Sequence, residues 1–289
     1  MRIPLNSSHQ QSTYVITTDD AAELVRLVHQ DYLLILGMQG FFPRQIDLHK
    51  VHRILDLACG SGGWVLEVAH AYPSIHVEGI DMSKQMIEYA QAQAWVQQAK
   101  NVEFREMNLL ETLDIPDNTF DIINTRFLVS FMPKEAWPEL LRECLRVTRL
   151  GGMLYLTEAE MSFSNSAACE ELNRLFACAL HKTGRSFSPS ELQLNITPML
   201  GYFLRQAGYQ NMQCAAHVLD YSSGMQAHDA FYQNLISAYK MLKPFLIQVK
   251  VCTEEEFECL YQQAQIDMSD KGFYGVLFYL SVWGTKNSS

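Results

Sequence analysis

A strand followed by a glycine-rich turn, ILDLACGSGGW, occupies residues 54–64. The apolar residues at its start predict a buried β-strand, and Gly60, Gly62 and Gly63 predict a tight turn that leads into a helix. Glycine permits φ > 0 and lets a ligand lie against the main chain. The free N–H groups at the start of the following helix attract a carboxylate or phosphate. This segment therefore predicts a strand–turn–helix unit with a ligand site at the turn.

From about residue 51 to residue 158 the chain alternates between strand-like and helix-like segments, which is typical of a parallel sheet covered by helices. The predicted strands are 53–58, 75–80, 102–107, 119–125 and 153–158, and the predicted helices are 62–72, 83–99 and 134–149. Two later strands, 212–220 and 273–285, complete the sheet. We therefore predict an α/β fold with a doubly wound, mostly parallel seven-stranded sheet and helices on both faces.

The remaining segments are predicted to form a helical cap. Residues 1–50 are an N-terminal tail and cap helix, and residues 51–289 are the core, with helical cap insertions at about 159–207 and 225–268. The insertions are predicted to hold helices at 164–182, 189–207, 226–242 and 253–266, with Pro244 separating the last two. In the N-terminal helix, 19–38, one face at helical spacing is predicted to be buried: Leu24, Val25, Val28, Tyr32 and Ile35.

Asp81 directly follows the predicted strand 75–80, which is expected to lie next to the glycine turn. It lies 19 residues after Gly62, where a carboxylate can accept hydrogen bonds from both ribose hydroxyls of an adenosyl or dinucleotide ligand. Asp81 and Ser83 also precede a helix, so a capping role can coexist with a binding role. A dinucleotide fingerprint expects a third glycine where Val65 stands, and it does not expect Asp56 before the turn. A dinucleotide is therefore disfavoured.

The pattern D-x-A-C-G-x-G from Asp56 to Gly62 resembles the S-adenosylmethionine site of class I, Rossmann-like methyltransferases, including the ubiquinone- and menaquinone-biosynthesis type. Two further stretches share the resemblance, FDII at 120–123 and LLRECLRVTRLGGMLYL at 140–156. The resemblance covers about 51–158. It implies S-adenosylmethionine as the cofactor and S-adenosylhomocysteine as the product.

The resemblance also implies cofactor contacts at the strand ends. The Asn108 side chain would bind the adenine amino group, the Leu109 N–H would reach a ring nitrogen, and the apolar Met82 would lie against the adenine. Asn124 and Arg126 would line the methionine end, although a structural ion pair explains Arg126 equally well. The full predicted set is Asp56, Ala58, Gly60, Gly62, Asp81, Met82, Asn108, Leu109, Asn124 and Arg126.

Methyl transfer from a sulfonium demands few catalytic side chains, because the methyl group already has a good leaving group. The protein must hold a nucleophile in line with the methyl–sulfur bond and exclude water, and a general base helps when the nucleophile is a phenol, an amine or a carbon acid. The candidate bases are Glu158, His181 and Tyr14, with Glu160, His217 and His228 as further positions. Glu158 has the best placement, at the tip of the fifth strand, whereas a structural or surface role is favoured for each isolated histidine.

The composition of the chain indicates which classes of binding partner to expect. The net charge of −10 and pI near 5.4 disfavour nucleic acid. Seven scattered cysteines show no zinc-like spacing, so no metal is expected. No run of residues has the length of a membrane span, and the first residues lack the apolar core of a signal peptide, which predicts a cytoplasmic protein without membrane insertion.

The cap segments are rich in Met, Phe, Tyr and Leu, which favours a small, largely apolar organic substrate. Exchange of the N-terminal helix between subunits would produce a homodimer or higher homo-oligomer.

Methyl transfer to a small molecule, with an O, N or C acceptor, is the leading hypothesis. Thr125-Arg126-Phe127 stands where enzymes that methylate DNA or glutamine carry an N/D-P-P-aromatic pattern, which argues against transfer to an exocyclic amine by that mechanism. Two alternatives stay open: an enzyme that keeps the cofactor intact and catalyses a cyclisation or rearrangement, and a non-catalytic cofactor-binding module. Val65 and Asp56 disfavour an NAD-dependent oxidoreductase.

Overall fold

A central β-sheet organises the computed structural model, which describes residues 21–43 and 45–287. Its strands are β1 (Arg53–Leu57), β2 (His76–Asp81), β3 (Val102–Glu106), β4 (Phe120–Arg126), β5 (Thr148–Ala159), β6 (Phe163–Ser164), β7 (Gln210–Asp220) and β8 (Gly275–Thr285). The helices are α1 (Ala21–Met38), α2 (Gly63–Ala71), α3 (Lys84–Val96), α4 (Trp137–Val147), α5 (Ala167–Lys182), α6 (Leu200–Ala207), α7 (His228–Gln248) and α8 (Glu254–Ser269). None of the helices in the described ranges combines the length and the apolar character needed to cross a bilayer.

The strands follow the order β3–β2–β1–β4–β5–β8–β7 across the sheet. Neighbours among β1 to β5 are parallel, and β8 is antiparallel to β5. Because β7 pairs along one edge of β8 over nearly its whole length, β5 and the two-residue β6 share the other edge. The predicted mostly parallel α/β sheet is confirmed. The additional strand β6 is too short for a sequence pattern to indicate.

Side chains of the central strands point alternately to the two faces of the sheet. Leu55 packs in an apolar cluster with Trp137 of α4 and Leu204 of α6, whereas its neighbour Ile54 packs in another with Val65 of α2. Helices therefore cover both faces, as predicted. A third cluster joins α1, α5, α7 and α8 through residues such as Tyr239.

The helix α1 buries a different face from the predicted one. Val25 is 56% exposed and Val28 is 44% exposed, whereas Glu23 is fully buried and Arg26 is 8% exposed. The apolar residues do recur at helical spacing. A different face is nevertheless buried, because Glu23 and Arg26 form an ion pair with each other, which removes much of the penalty for burying their charges. Leu33 continues the buried face further along the helix.

Two predicted cap helices also differ. Residues 189–196 are not helical, because the Glu160 carboxylate accepts the Leu194, Asn195 and Thr197 N–H groups and holds this stretch as a loop. Pro244 does not separate two helices but lies inside α7, one turn before its end. A proline inside a helix removes one hydrogen bond and costs about 3 kcal/mol, which apolar burial on both sides of Pro244 offsets.

The glycine turn yields a stability prediction. Gly62 has φ +76°, and a Cβ atom there would lie 2.7 Å from Ala90 Cβ and 2.8 Å from the Phe104 ring. Gly224 has φ +82° and nothing within 4 Å of the same position, so it is a matched control for the backbone strain alone. We expect Gly224→Ala to cost about 1 kcal/mol and Gly62→Ala clearly more, measured by urea unfolding. Equal losses would show that packing at Gly62 is unimportant.

Candidate cofactor site

The carboxyl ends of β1 to β5 and the helix α1 enclose a cavity of about 280 Å³. Ligands of parallel α/β sheets bind at this edge, because the strand order reverses beside β1 and leaves a crevice there. The predicted residues that line the cavity are Ala58, Gly60, Asp81, Met82, Asn108, Leu109, Arg126, Glu158 and Glu160. Asp56, Gly62 and Asn124 belong to the predicted set but not to the lining.

The two principal glycines of the turn have different roles. Both have positive φ, +54° at Gly60 and +76° at Gly62. A Cβ atom on Gly60 would approach Leu27 Cδ1 to 3.4 Å, an ordinary contact, and Gly60 lines the cavity. Gly62 is instead closed in by α3 and β3. Ala58 also has φ +54°, a strained conformation for a residue with a Cβ and one that is enriched at functional sites. The main chain is thus open to a ligand at Gly60.

Asp81 ties the end of β2 to the glycine turn. Its Oδ2 accepts the Gly60 N–H at 2.9 Å, and its Oδ1 accepts the Ser83 N–H at 2.8 Å. Ser83, not Asp81, caps α3, because the Ser83 hydroxyl accepts the Met86 N–H. Burial raises the pKa of Asp81 above its ordinary value, while these N–H donors act in the opposite direction. A carboxylate has about four lone-pair sites, so both oxygens can still accept a hydrogen bond from a ligand.

Asn108 lies at the cavity wall just after β3. Its Oδ1 accepts the Leu110 N–H at 3.0 Å, and its amide N–H₂ donates to Glu111 Oε1. These contacts fix the side chain and leave one lone pair on its oxygen. Met82 and Leu109 supply apolar surface on the same wall.

A buried polar pair lies beneath the cavity. Asp56 on β1 is paired in register with Asn124 on β4, and Asn124 Nδ2 donates to Asp56 Oδ1 at 2.7 Å. Within the described residues, Asp56 Oδ2 and Asn124 Oδ1 have no hydrogen-bond partner. Burial raises the pKa of Asp56 to about 7, although Arg126 and the Asn124 hydrogen bond lower it. Buried polar atoms without partners are rare and mark a place for a polar group of a ligand.

Arg126 connects this pair to α1. Its Nη2 donates to Asp31 Oδ1 at 2.8 Å, and its guanidinium lies 5.5 Å from the centre of the Trp64 ring. Burial acts to lower the pKa of Arg126, but the Asp31 and Asp56 carboxylates outweigh it and raise that pKa. In the described part of the chain, Arg126 Nε and Nη1 are buried without an acceptor. The ion-pair interpretation of Arg126 is therefore correct, and donors remain for a ligand.

Two carboxylates stand at and beyond the end of β5. Glu158 accepts the Leu128 N–H at 2.7 Å and the Val129 N–H at 3.4 Å, and so holds the loop after β4. Burial raises the pKa of Glu158 to about 8, while these donors act to lower it. Glu160 also lines the cavity, but its oxygens accept the N–H groups of the 194–197 loop.

The other candidate bases lie elsewhere. His181 is outside the cavity lining, with its Nε2 3.6 Å from Glu191 Oε1. His217 is hydrogen-bonded to Ser281 and stacked on Tyr279, and burial lowers its pKa. His228 bonds a backbone carbonyl through its Nδ1. Tyr14 lies outside the described residues.

The structure also brings residues to the site that the sequence analysis did not single out. Arg26, Leu27 and Gln30 of α1 line the cavity, and Asp31 of α1 contacts Arg126. The sequence feature that could have identified the α1 residues is the presence of charged side chains in an otherwise apolar helix. The loop after β4 adds Phe127 and the segment 129–132.

One cluster of potential metal ligands lies at the opposite end of the sheet. His76, Glu78 and Glu103 offer ligand atoms within 4.8 Å of one another. Glu78 is already ion-paired with Arg105 through a 2.6 Å hydrogen bond, and exposed Glu103 needs no ion. The expectation of no metal stays a prediction.

The pKa of Asp56 makes stability depend on pH. The folded state keeps a proton on Asp56 up to about pH 7, whereas an ordinary Asp releases it near 3.8, so the free energy of unfolding falls as pH rises between these values. The slope is at most about 1.4 kcal/mol per pH unit. Because Glu158, whose pKa is raised to about 8, adds to the slope in the same range, Asp56→Asn should reduce the slope of urea-unfolding free energy between pH 4.5 and 7.5 without abolishing it, while Asp114→Asn, at an exposed position, should leave it unchanged. Parallel curves for Asp56→Asn and the wild type would contradict the assignment.

Comparisons with known proteins agree with this geometry. Residues 54–152 match a family model described as a methyltransferase domain. A demethylmenaquinone methyltransferase of Geobacillus sp. (strain WCH70) is 30% identical over 116 residues, which is 40% of this chain and 48% of that protein. A demethylmenaquinone methyltransferase of Listeria monocytogenes is 32% identical over 108 residues, or 37% and 44% of the two chains. The chain spans about half the length of the curated relatives it matches.

Solved structures share the fold. The YcgJ protein of Bacillus subtilis aligns with a TM-score of 0.52 and 19% identity, covering 90% of this chain and 100% of that one. A Haemonchus contortus phosphoethanolamine N-methyltransferase aligns with a TM-score of 0.53 and 14% identity over 94% of this chain and 58% of that one. The cyclase SpnF aligns with a TM-score of 0.51 and 19% identity, covering 92% and 97%. Residues 54–152 thus match the methyltransferase-domain model at the same strands and glycine turn that form the cavity, and the solved structures show that the fold is Rossmann-like.

Proposed function

We propose that this protein binds S-adenosylmethionine in the cavity at the strand ends and transfers its methyl group to a small, largely apolar organic molecule. The convergence of four different groups on one cavity carries the proposal: the open main chain at Gly60, the Asp81 carboxylate, the Asn108 amide and the unmet donors of Arg126. Each comes from a different strand end, so the sheet itself sets their spacing.

These groups fit the parts of the cofactor. Asp81 keeps lone pairs for two ribose hydroxyls, and Asn108 keeps one for the adenine amino group. Met82 and Leu109 supply the apolar surface that an adenine ring needs. The buried Arg126 Nε and Nη1 suit the cofactor's carboxylate, because a charge-assisted hydrogen bond would satisfy them.

The charge balance of the site also fits. Asp31 and Asp56 lie beside Arg126 and Asp81 lies near Asp56, so acidic side chains outnumber the one arginine there, and a bound cation would favour the ionised form of Asp56. The cofactor supplies a methyl group on a sulfonium cation with a good leaving group. A site rich in carboxylates stabilises such a cation, and burial strengthens this attraction relative to water.

Another part of the cavity wall suits an apolar acceptor. This part is formed mainly by aromatic and thioether side chains: Phe127, Phe131, Met132, Met161 and Phe176. Among the described residues that line the cavity there is no histidine, lysine, tyrosine or cysteine. We therefore assign general-base catalysis to Glu158. A carboxyl group whose pKa is raised to about 8 is matched to a weakly acidic acceptor such as a phenol.

The activity test uses methyl-labelled S-adenosylmethionine and a panel of small aromatic acceptors. The matched relatives are named demethylmenaquinone methyltransferases, so a demethylated naphthoquinol is the first acceptor to include. Labelled product together with stoichiometric S-adenosylhomocysteine is the expected result. Consumption of a substrate without S-adenosylhomocysteine would instead indicate a cyclisation or rearrangement and contradict methyl transfer.

Asp81 gives a prediction for cofactor binding. Removing an ionised hydrogen-bond partner costs about 1.5–3 kcal/mol, so Asp81→Ala should weaken S-adenosylhomocysteine binding by roughly 10- to 100-fold in calorimetric titration. Asp81→Asn keeps one acceptor oxygen and should lie between Asp81→Ala and the wild type. Asp114→Ala, at an exposed position, is the control and should bind normally. If Asp81→Ala binds as tightly as this control while remaining folded, Asp81 does not hold the ribose.

Glu158 gives a prediction for catalysis. Since its pKa is raised to about 8, kcat should increase with pH up to that value as the carboxyl group loses its proton. Glu158→Gln should lower kcat at least tenfold and abolish this pH dependence, because an amide cannot accept the proton. S-adenosylhomocysteine affinity, measured in parallel, should stay within about threefold of wild type. An unchanged pH profile in Glu158→Gln would exclude it as the base.

A further inference from the structure

A second cavity, the inner chamber, adjoins the first. It has a volume of about 170 Å³ and lies among α1, α5, α7 and the strands β7 and β8. The two cavities share wall residues, among them Arg26, Gln30, Phe127 and Phe176, so a molecule that enters the first can extend into the second. The rest of the inner wall is mainly apolar, with residues such as Leu34.

The charged groups of the inner chamber disfavour an anion. Arg26 Nε and Nη2 donate to the two oxygens of the buried Glu23 at 2.6 and 2.7 Å, which neutralises the guanidinium. Glu160, the other charged residue on the described wall, is negative. A carboxylate or phosphate in the chamber would therefore be desolvated without a cation to compensate it.

The same arginine orients two amides. Arg26 Nη1 donates to Gln30 Oε1 at 2.6 Å and to Asn234 Oδ1 at 3.2 Å. A guanidinium can only donate, so in both amides the oxygen must face Arg26 and the N–H₂ group must face away from it. Gln30 lines both cavities and Asn234 lines the inner chamber. Two side-chain N–H₂ donors are thereby held at the chamber wall.

The remaining polar groups of the wall satisfy one another. Asn173 Nδ2 donates to the carbonyl and hydroxyl oxygens of Ser162 at 3.0 and 3.1 Å. The Tyr239 hydroxyl donates to Asn173 Oδ1 at 2.9 Å. These three side chains therefore form an uncharged part of the wall whose polar groups bond to one another. Recognition of a polar ligand group therefore depends on Gln30 and Asn234.

We infer that the inner chamber binds the distal part of the methyl acceptor, and that this part is uncharged, apolar and equipped with a hydrogen-bond-accepting oxygen such as a ketone or quinone carbonyl. Gln30 and Asn234 determine this specificity by donating to that oxygen. The inference rests on the proposed function, because it places the acceptor's reactive end in the first cavity.

The test uses the neutral fluorescent ketone 6-propionyl-2-(dimethylamino)naphthalene, whose emission shifts to the red when its carbonyl accepts a hydrogen bond. We expect it to bind protein saturated with S-adenosylhomocysteine, and the matching 6-(dimethylamino)naphthalene-2-carboxylate to bind at least tenfold more weakly. Gln30→Leu and Asn234→Leu should each weaken ketone binding about fivefold, the effect of one hydrogen bond, and shift the bound emission to the blue. Gln233→Leu, at the adjacent exposed position of α7, is the matched control and should behave as wild type.

Several outcomes would overturn the inference. These are tighter binding of the carboxylate than of the ketone, no ketone binding by the wild type, and emission that Gln30→Leu and Asn234→Leu leave unchanged. Calorimetric titration of the wild type with S-adenosylhomocysteine distinguishes a failure of this inference from a failure of the proposed function. If that ligand binds while the amide variants have no effect, only the inference about the chamber fails. If that ligand does not bind, the proposed function fails first.

Discussion

The ion pair between Arg126 and Asp31 connects the two parts of the molecule on which the cavity depends. Arg126 ends a central strand of the sheet, and Asp31 belongs to the helix that covers the strand ends. Asp31 Oδ2 also lies 2.6 Å from the place that a Cβ on Gly63 would take, so this carboxylate stands against the start of α2. A negative charge is stabilised at a helix N-terminus. Buried ion pairs add little net stability, but a charge without its partner is costly, so this pair fixes where α1 can lie.

The cavity combines two chemically different kinds of surface. The ends of β1 to β4 bring main chain, carboxyl groups and Arg126 to the cavity, and these groups suit a polar, cationic cofactor. The loop after β4 and the helix α5 add apolar side chains such as Phe131, Met132 and Phe176, and α1 adds the Arg26 network, which together suit a neutral organic molecule. A cavity with both polar and apolar wall residues allows two unlike ligands to bind next to each other, as displacement at a methyl group requires.

Much of the sheet and of its cofactor-facing edge could be predicted from the sequence, because local rules act there. Strand ends in a parallel sheet converge at one edge, so Gly60, Asp81 and Asn108 could be placed together from spacing alone. Gly62 has the positive φ that a glycine turn predicts, but Phe104 and Ala90 fill the space beside it, and such packing contacts are not visible in the sequence.

The cap could not be predicted to the same degree, because long-range contacts override local patterns there. The apolar spacing of Val25 and Val28 predicted the wrong buried face of α1, since the buried charges of the other face pair with each other. Glu160 replaces a predicted helix by a loop through contacts 34 to 37 residues away. Such contacts leave no periodic trace in the sequence.

A crystal structure of the protein grown with saturating S-adenosylhomocysteine tests directly whether the cofactor binds at the strand ends. We expect the ribose hydroxyls within hydrogen-bond distance of both Asp81 oxygens, the adenine between Met82 and Leu109, and the cofactor's carboxylate on Arg126. An empty cavity at saturating ligand, or S-adenosylhomocysteine bound away from the strand ends, would contradict this expectation.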